Sequence, residues 1–315
     1  MQSSDQRAAV NTQANGVDVD ALPIATTPLL PSHPVPLLDL CRSIHERVSL
    51  FLAQDAPSER VRNVQQQTRI SLGVIAEALK RYTLPELSLS YNGGKDCLVL
   101  LILYLCALHD HPSLTSSRNT SHAIQSVYIV SKHPFQEVED FVASSSKTCS
   151  LQLVRYAKGM KDAFTDYLRD YPSVKAIFVG TRRTDPHGAN LTHFDPTDHG
   201  WPAFMRVHPV IDWHYVDVWT FIRRLNIPYC PLYDMGYTSL GGTTDTHRNP
   251  ALRRRSVSGT GTPHVEFRPA YELVEDDEER LGRDWERRGK PPEGETTPNS
   301  ERPIEVDGAI AGSDG

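Results

Sequence analysis

Ser90-Tyr91-Asn92-Gly93-Gly94-Lys95-Asp96-Cys97 stands between a short apolar run, 87–89, and an almost unbroken apolar stretch, 98–108. The first reads as a strand over 87–91. The second reads as a helix over 95–108, apolar nearly all round and therefore buried. Two adjacent glycines let the turn between them close tightly, so that successive N–H groups can converge on phosphate oxygens. The helix start adds unpaired N–H groups and the positive end of its dipole. Lys95 adds a point charge. Asp96 repels an anion, and a functional Asp96 requires a magnesium ion between the two. The same residues also fit ordinary Asn-Gly-Gly turn chemistry with no ligand. The spacing is not that of a Walker A loop, and no G-x-G-x-x-G stands at this first strand–helix turn, which disfavours a dinucleotide site of the nicotinamide type.

Outward from this turn, strand and helix patterns alternate. Upstream, Leu37, Leu40, Ile44, Val48 and Phe51, then Val61, Val64, Leu72, Ile75 and Leu79, mark two amphipathic helices that cover one sheet face. Downstream come strands at 123–130, 151–156 and 176–180, with helices over 135–148 and through Met160, Ala163, Phe164, Tyr167 and Leu168 between them. This order implies parallel pairing with right-handed crossovers: an α/β, doubly wound, mostly parallel sheet with helices on both faces. Ligands in such sheets bind beyond the carboxyl ends of the strands. A long loop, 181–205, rich in Asp, Pro, His and Gly, precedes a further helix through Tyr215, Val218, Trp219, Ile222 and Leu225. Arg253 to Arg255 reads as an exposed basic turn. Residues 1–36 and 289–315 are polar and Pro- or Gly-rich, and are expected to be disordered arms around a catalytic domain at 37–288.

The formal net charge of −6 argues against a general nucleic-acid binder. Five scattered cysteines, with no C-x-x-C pair, argue against a disulfide framework and fit a reducing compartment. No long apolar run spans a membrane and no secretory pattern opens the chain, so a cytoplasmic location is expected. The histidines at 187, 193, 199, 208 and 214 lack zincin spacing and read as surface or packed residues.

A second candidate loop, Gly180-Thr181-Arg182-Arg183-Thr184-Asp185-Pro186, follows the fourth strand. Two arginines beside an aspartate make an anion and metal site plausible, although a solvated Asp-Pro turn has the same composition. Both loops are expected at one sheet edge.

The Gly-Gly loop resembles the pyrophosphate loop of the adenine-nucleotide α-hydrolase-like superfamily, in the variant of its phosphoadenylylsulfate reductase-like branch. Over about 88–283 the chain resembles the FAD synthases of fungi and animals. The blocks that carry this are the two loops, Gly200-Trp201-Pro202-Ala203-Phe204-Met205-Arg206, the stretch 209–213, Leu232-Tyr233-Asp234-Met235-Gly236-Tyr237-Thr238-Ser239-Leu240-Gly241, Arg248-Asn249-Pro250-Ala251-Leu252 and Arg268-Pro269-Ala270-Tyr271-Glu272-Leu273. The arrangement expected is the fungal one, without the molybdopterin-binding-like domain of many animal enzymes.

The resemblance implies AMP transfer from ATP to FMN, giving FAD and pyrophosphate with Mg²⁺. It implies catalytic roles for Asn92, Asp96, Asp185, Arg280 and Arg283. ATP and its phosphates fall to Ser90, Tyr91, Asn92, Gly93, Gly94, Lys95, Val130 and Arg182, with the adenine near Val130. FMN and FAD fall to Arg183, Asp185, Trp201, Arg280 and Arg283, and the metal to Asp96 and Asp185. Trp201 and Tyr237 are candidates to stack on the flavin, or to pack. The run 276–283 also reads as a charged solvated helix face with pairs such as Asp276–Arg280. A monomer or weak dimer that passes FAD to flavoproteins is expected. The rivals are a phosphoadenylylsulfate reductase-like enzyme, which needs a reactive cysteine where the chain has none after Cys230, and a non-catalytic adenine-nucleotide-binding module.

Overall fold

The apolar repeats place the helices as expected. A computed structural model describes residues 20, 22–115, 123–198, 200–257 and 263–283. The chain divides after Arg283; residues 284–315, with the expected tail at 289–315, lie outside the described residues.

Helices α1 (Leu37–Ala53) and α2 (Glu59–Arg81) pack on α3 (Lys95–Leu108). The Ser58 hydroxyl caps α2 by accepting the Val61 N–H at 3.1 Å. After a short α4 (Pro112–Thr115) come α5 (Gln136–Thr148), α6 (Met160–Asp170) and α7 (Tyr215–Arg224). The main sheet holds β1 (Leu87–Ser90), β2 (Ile124–Ile129), β3 (Leu151–Tyr156), β4 (Ala176–Phe178), β5 (Phe194–Pro196) and β6 (Met205–Val207), in the order β3-β2-β1-β4-β6-β5. All neighbours are parallel except the edge strand β5, which runs antiparallel to β6. In register, Leu89 faces Ser126 of β2 and Phe178 of β4.

Helices cover both faces. Along β4, Ala176 and Phe178 join the large core with α1, α2, α3, α5 and α7, while Ile177 turns to a smaller core with Phe164 and Tyr167 of α6. Because α3 lies between the sheet and α1, α2 and α7, its apolar residues are buried on every side.

Three local expectations are corrected. The loop expected at 181–205 contains β5, which is held by its ladder to β6. Arg253 to Arg255 is not a turn: it begins β7 (Arg253–Val257), paired antiparallel with β8 (Pro263–Phe267), so a backbone ladder orders a stretch that three consecutive arginines made look loop-like. Residues 22–36, placed in the disordered arm, lie against the end of α7; residues 1–19 are outside the described residues. Ile24 and Leu29 donate N–H bonds to the carbonyls of Arg224 and Asn226, at 2.8 and 2.9 Å, satisfying groups that the helix end leaves unpaired. Leu29 and Leu30 are buried. Two leucines in a Pro-rich stretch carry no periodicity, so composition hid them.

Leu29→Ala is expected to cost about 2–3 kcal/mol, a drop of about 5–10 °C in Tm. A thermal melt unchanged from wild type would show that this segment contributes nothing to the core.

Candidate active site

The winding reverses between β1 and β4, because α6 returns the chain on the opposite face, and a crevice forms at such a point. Ser90 ends β1, and Gly180 follows β4. A Cβ on Gly180 would stand 2.9 Å from the Cys97 nitrogen, so only glycine lets the chain beyond β4 approach the first turn of α3 this closely. A cavity of about 590 Å³ opens there, and both predicted loops contribute to it.

Within the first loop, Gly93 takes a φ of +75° and a Cβ there would lie 2.7 Å from Val142 Cγ2, so glycine is required twice over. The Asn92 side-chain oxygen accepts the Gly94 N–H at 2.9 Å. The buried Tyr233 hydroxyl accepts the Lys95 N–H, also at 2.9 Å. In the same first turn the Asp96 N–H faces its own carboxylate, and the Cys97 N–H, with no acceptor within the helix, is the one left for an anion.

Behind this loop is a cluster of charges. Arg182 is 0% exposed. Its Nε lies 2.9 Å from Asp96 Oδ1, its Nη1 3.6 Å from Asp276 and its Nη2 4.0 Å from Asp185, and it also pairs closely with Glu279. Lys95, equally buried, binds Asp96 at 3.0 Å and pairs closely with Glu279. Two interior cations thus meet four carboxylates. Burial pushes the Asp96 carboxyl up, but Arg182 and Lys95 outweigh it and hold the group below the usual aspartate value of 3.8. Burial likewise opposes the charge on Lys95 and Arg182, and the surrounding carboxylates more than restore it.

The cavity brings together Ser90, Asn92, Gly94, Lys95, Asp96 and Asp185 with Trp201, Arg280 and Arg283. Arg283 leans on the Asp245 carbonyl at 3.1 Å. Arg280 has no ion pair or hydrogen bond among the described residues, and is the uncommitted cation of the cavity.

Six candidate residues stand elsewhere. Tyr91 is buried, its hydroxyl 2.8 Å from Ser145 and its N–H on Val127, so it is a core residue and not a phosphate ligand. Gly93 turns against α5. Ile129 lines the cavity in place of Val130, whose N–H is taken by the Tyr156 carbonyl. Arg182 lies behind the wall. Arg183, placed with FMN, instead braces its own loop, binding Asp212 and the carbonyls of Ala189 and Leu191 at 2.7–3.0 Å. Tyr237 packs on Phe135, with ring centroids 5.4 Å apart, and does not face the cavity. Of the histidines, His208 is buried with Nδ1 at 3.1 Å from the Thr192 carbonyl, and His199 lies outside the described residues.

Sequence reasoning missed Glu279, Tyr233 and the aromatic wall of Phe164 and Phe204 beside Trp201. Asp276 does not pair with Arg280. It accepts the Tyr215 N–H at 2.6 Å at the start of α7 and lies beside His214. One signal was available: interior Lys95 and Arg182 need carboxylates, and Asp276 and Glu279 are spaced three apart, as are Arg280 and Arg283.

The phosphoadenosine phosphosulfate reductase domain model matches residues 86–248. The protein is 37% identical over 246 residues to a probable FAD synthase of Schizosaccharomyces pombe, covering 78% of this chain and 89% of that one. It is similar to the Candida glabrata FMN adenylyltransferase solved with FAD and inorganic pyrophosphate, at 29% identity and a TM-score of 0.73, covering 80% of this chain and 99% of the other. A structure of the same Candida enzyme with FMN and the ATP analogue AMPCPP aligns at 29% identity and a TM-score of 0.72, with the same coverage.

Asp96 is ionised in the fold at pH values where the unfolded chain takes up a proton. Its contribution to stability is therefore complete above about pH 4 and lost as the pH falls through its lowered value. The stability gap between wild type and Asp96→Asn is expected to narrow from pH 7 to pH 3 in denaturant titrations. A gap that is constant with pH would contradict the pairing.

Proposed function

The chain belongs to the FAD synthase family, and from that membership we propose that the cavity at the β1/β4 crevice transfers AMP from ATP to FMN. The observation that carries this reading is the meeting of an N–H-lined helix start with an uncommitted arginine, Arg280, in one cavity. An oxygen of the FMN phosphate attacks the ATP α-phosphorus in line. A P–O bond forms there as the bond to the bridging oxygen breaks, and pyrophosphate leaves with its electron pair. A phosphomonoester is largely dianionic at neutral pH, its second pKa being about 6, so no general base is needed. The protein supplies alignment and cancels repulsion between two anions.

The Cys97 N–H at the start of α3 receives a phosphate oxygen of ATP. Asn92 acts by holding Gly94 and hence the loop shape. Arg280 and Arg283 meet the FMN phosphate or the α-phosphoryl oxygens. The aromatic wall of Phe164, Trp201 and Phe204 takes a planar ring.

Magnesium fits this donor set. Among the described residues no three His, Cys, Asp or Glu side chains converge as a metal site, which suits an ion held mainly by substrate phosphates. Asp96 Oδ1 is buried and paired with Arg182 Nε at 2.9 Å, whereas Asp185 Oδ1 is 4.0 Å from Arg182, so Asp185 is the carboxylate that would hold the ion directly or through water. When bound it supplies charge neutralisation of the triphosphate.

A reductase reading fares poorly. Burial pushes the thiols of Cys41, Cys97, Cys106 and Cys149 up to about 12, and that of Cys230 up to about 11, so no cysteine of the chain presents a thiolate. Among the described residues no helix is long and apolar enough to cross a membrane.

Purified protein is expected to form FAD from FMN, ATP and Mg²⁺, releasing pyrophosphate only when FMN is present. Arg280→Ala should lower turnover by about 10²–10³ or more with little change in Tm, since the side chain binds nothing in the fold. Pyrophosphate release independent of FMN would refute the acceptor. Wild-type turnover in Arg280→Ala would remove that residue from the mechanism.

A further inference from the structure

Arg280 and Arg283 stand on a segment, 270–283, that is built of 3-10 turns and open loop and is anchored at its start by α7, where the Tyr215 hydroxyl donates to the Ala270 carbonyl at 2.8 Å and the Tyr215 N–H to Asp276 at 2.6 Å. Around the two arginines its backbone is tied at three residues, Glu278, Glu279 and Gly282. Asn249, fully buried, donates through Nδ2 to the Glu278 carbonyl at 2.8 Å, and the Thr238 hydroxyl donates to the Glu279 carbonyl at 2.6 Å. Further on, the His247 N–H bonds the Gly282 carbonyl at 2.9 Å. Between these ties the Glu279 carboxylate reaches inward, one oxygen on Lys95 of the phosphate loop and the other on Arg182 of the loop after β4. It is 5% exposed. Both of its partners are themselves buried, and Asp276 of the same segment also approaches Arg182, at 3.6 Å, but the Glu279 carboxylate is the one that reaches the phosphate loop and the loop after β4 together.

We propose that Glu279 is the positioning residue for Arg280: its carboxylate, clamped between Lys95 and Arg182, fixes the adjacent Arg280 against the phosphate loop. Alternative duties are closed to it. Glu279 reaches the cavity lining, but it is 5% exposed and both of its oxygens are engaged by cations. Among the described residues Arg280 has no partner to hold it, so its place over the cavity is inherited from its neighbour in the chain. A long side chain held only at its backbone can be misplaced by small rotations of that backbone, and a displacement of about 1 Å can lower a rate by about 10²-fold. This inference rests on the adenylyl-transfer reading above.

The test is a double-mutant cycle on the full-length chain, with kcat for FAD formation measured for wild type, Glu279→Gln, Arg280→Ala and the double variant, and with Tm recorded for each. Glu279→Gln keeps the volume and removes the charge. It is expected to lower kcat by about 10- to 100-fold on its own and to lower it by less than about twofold in the Arg280→Ala background, since there is then no arginine to place. Multiplicative losses in the double variant, or wild-type kcat in Glu279→Gln, would overturn the positioning role. If Glu279→Gln does not fold, the same cycle is run with Glu279→Asp, which keeps the charge and shortens the reach by one methylene; loss of kcat confined to the Arg280 background supports the role, and multiplicative losses overturn it. A wild type that turns over while the cycle is additive overturns this inference alone. A wild type that makes no FAD overturns the adenylyl-transfer reading and this inference with it.

Discussion

A guanidinium with no solvent contact is the constraint from which the site follows. Arg182 lies behind the cavity wall, and a charge placed there is tolerated only when carboxylates surround it. They come from three separate segments: Asp96 from the start of α3, Asp185 from the loop after β4, and Asp276 and Glu279 from the turns of 270–283. None of these segments hydrogen-bonds to another as sheet or helix at this point. The ion cluster is what makes a phosphate loop, a second loop and a C-terminal strap into one wall. Removing a single partner from such a cluster costs about 3–5 kcal/mol, because the remaining buried charge is left uncompensated.

The same arrangement decides which positive charges are left for substrate. Lys95 and Arg182 look from the sequence like phosphate ligands, but their charge is spent inside the protein on Asp96 and Glu279. Attraction for phosphate then falls to groups with no internal partner: the Cys97 N–H at the start of α3 and the Arg280 side chain. That division suits a reaction whose product is pyrophosphate. In the proposed reaction, the backbone N–H would hold an anion by a modest bond, and Arg280, with Arg283 on the same strap, would add charge near the α-phosphorus.

Much of this was legible in the residues. The alternation of apolar runs gave the parallel pairing and the doubly wound class, because period and spacing are local properties, while the strand order and the switch point came from the structure. The Gly-Gly loop and Asp185 announced themselves through turn chemistry. What stayed hidden depends on contacts distant in sequence. Glu279 reads as one of five consecutive acids in a solvated run until Lys95 and Arg182, 184 and 97 residues away, are seen to close on it. Tyr91 and Val130 stand in functional loops, yet strand pairing commits the N–H groups of both to neighbouring strands and turns the Tyr91 ring into the core. Arg183 and Arg182 are adjacent and chemically alike, and only the direction of the chain at that turn sends one inward and the other to Asp212. Leu29 and Leu30 lacked a period and so lacked a signal.

The most direct measurement is a crystal structure of the protein with FMN and a non-hydrolysable ATP analogue. Arg182 should remain paired with Asp96 and Glu279, while Arg280 turns onto a phosphate oxygen. A complex in which Arg182 leaves Glu279 to bind phosphate, with Arg280 still uncommitted, would contradict the division between structural and substrate-facing charge on which the rest depends.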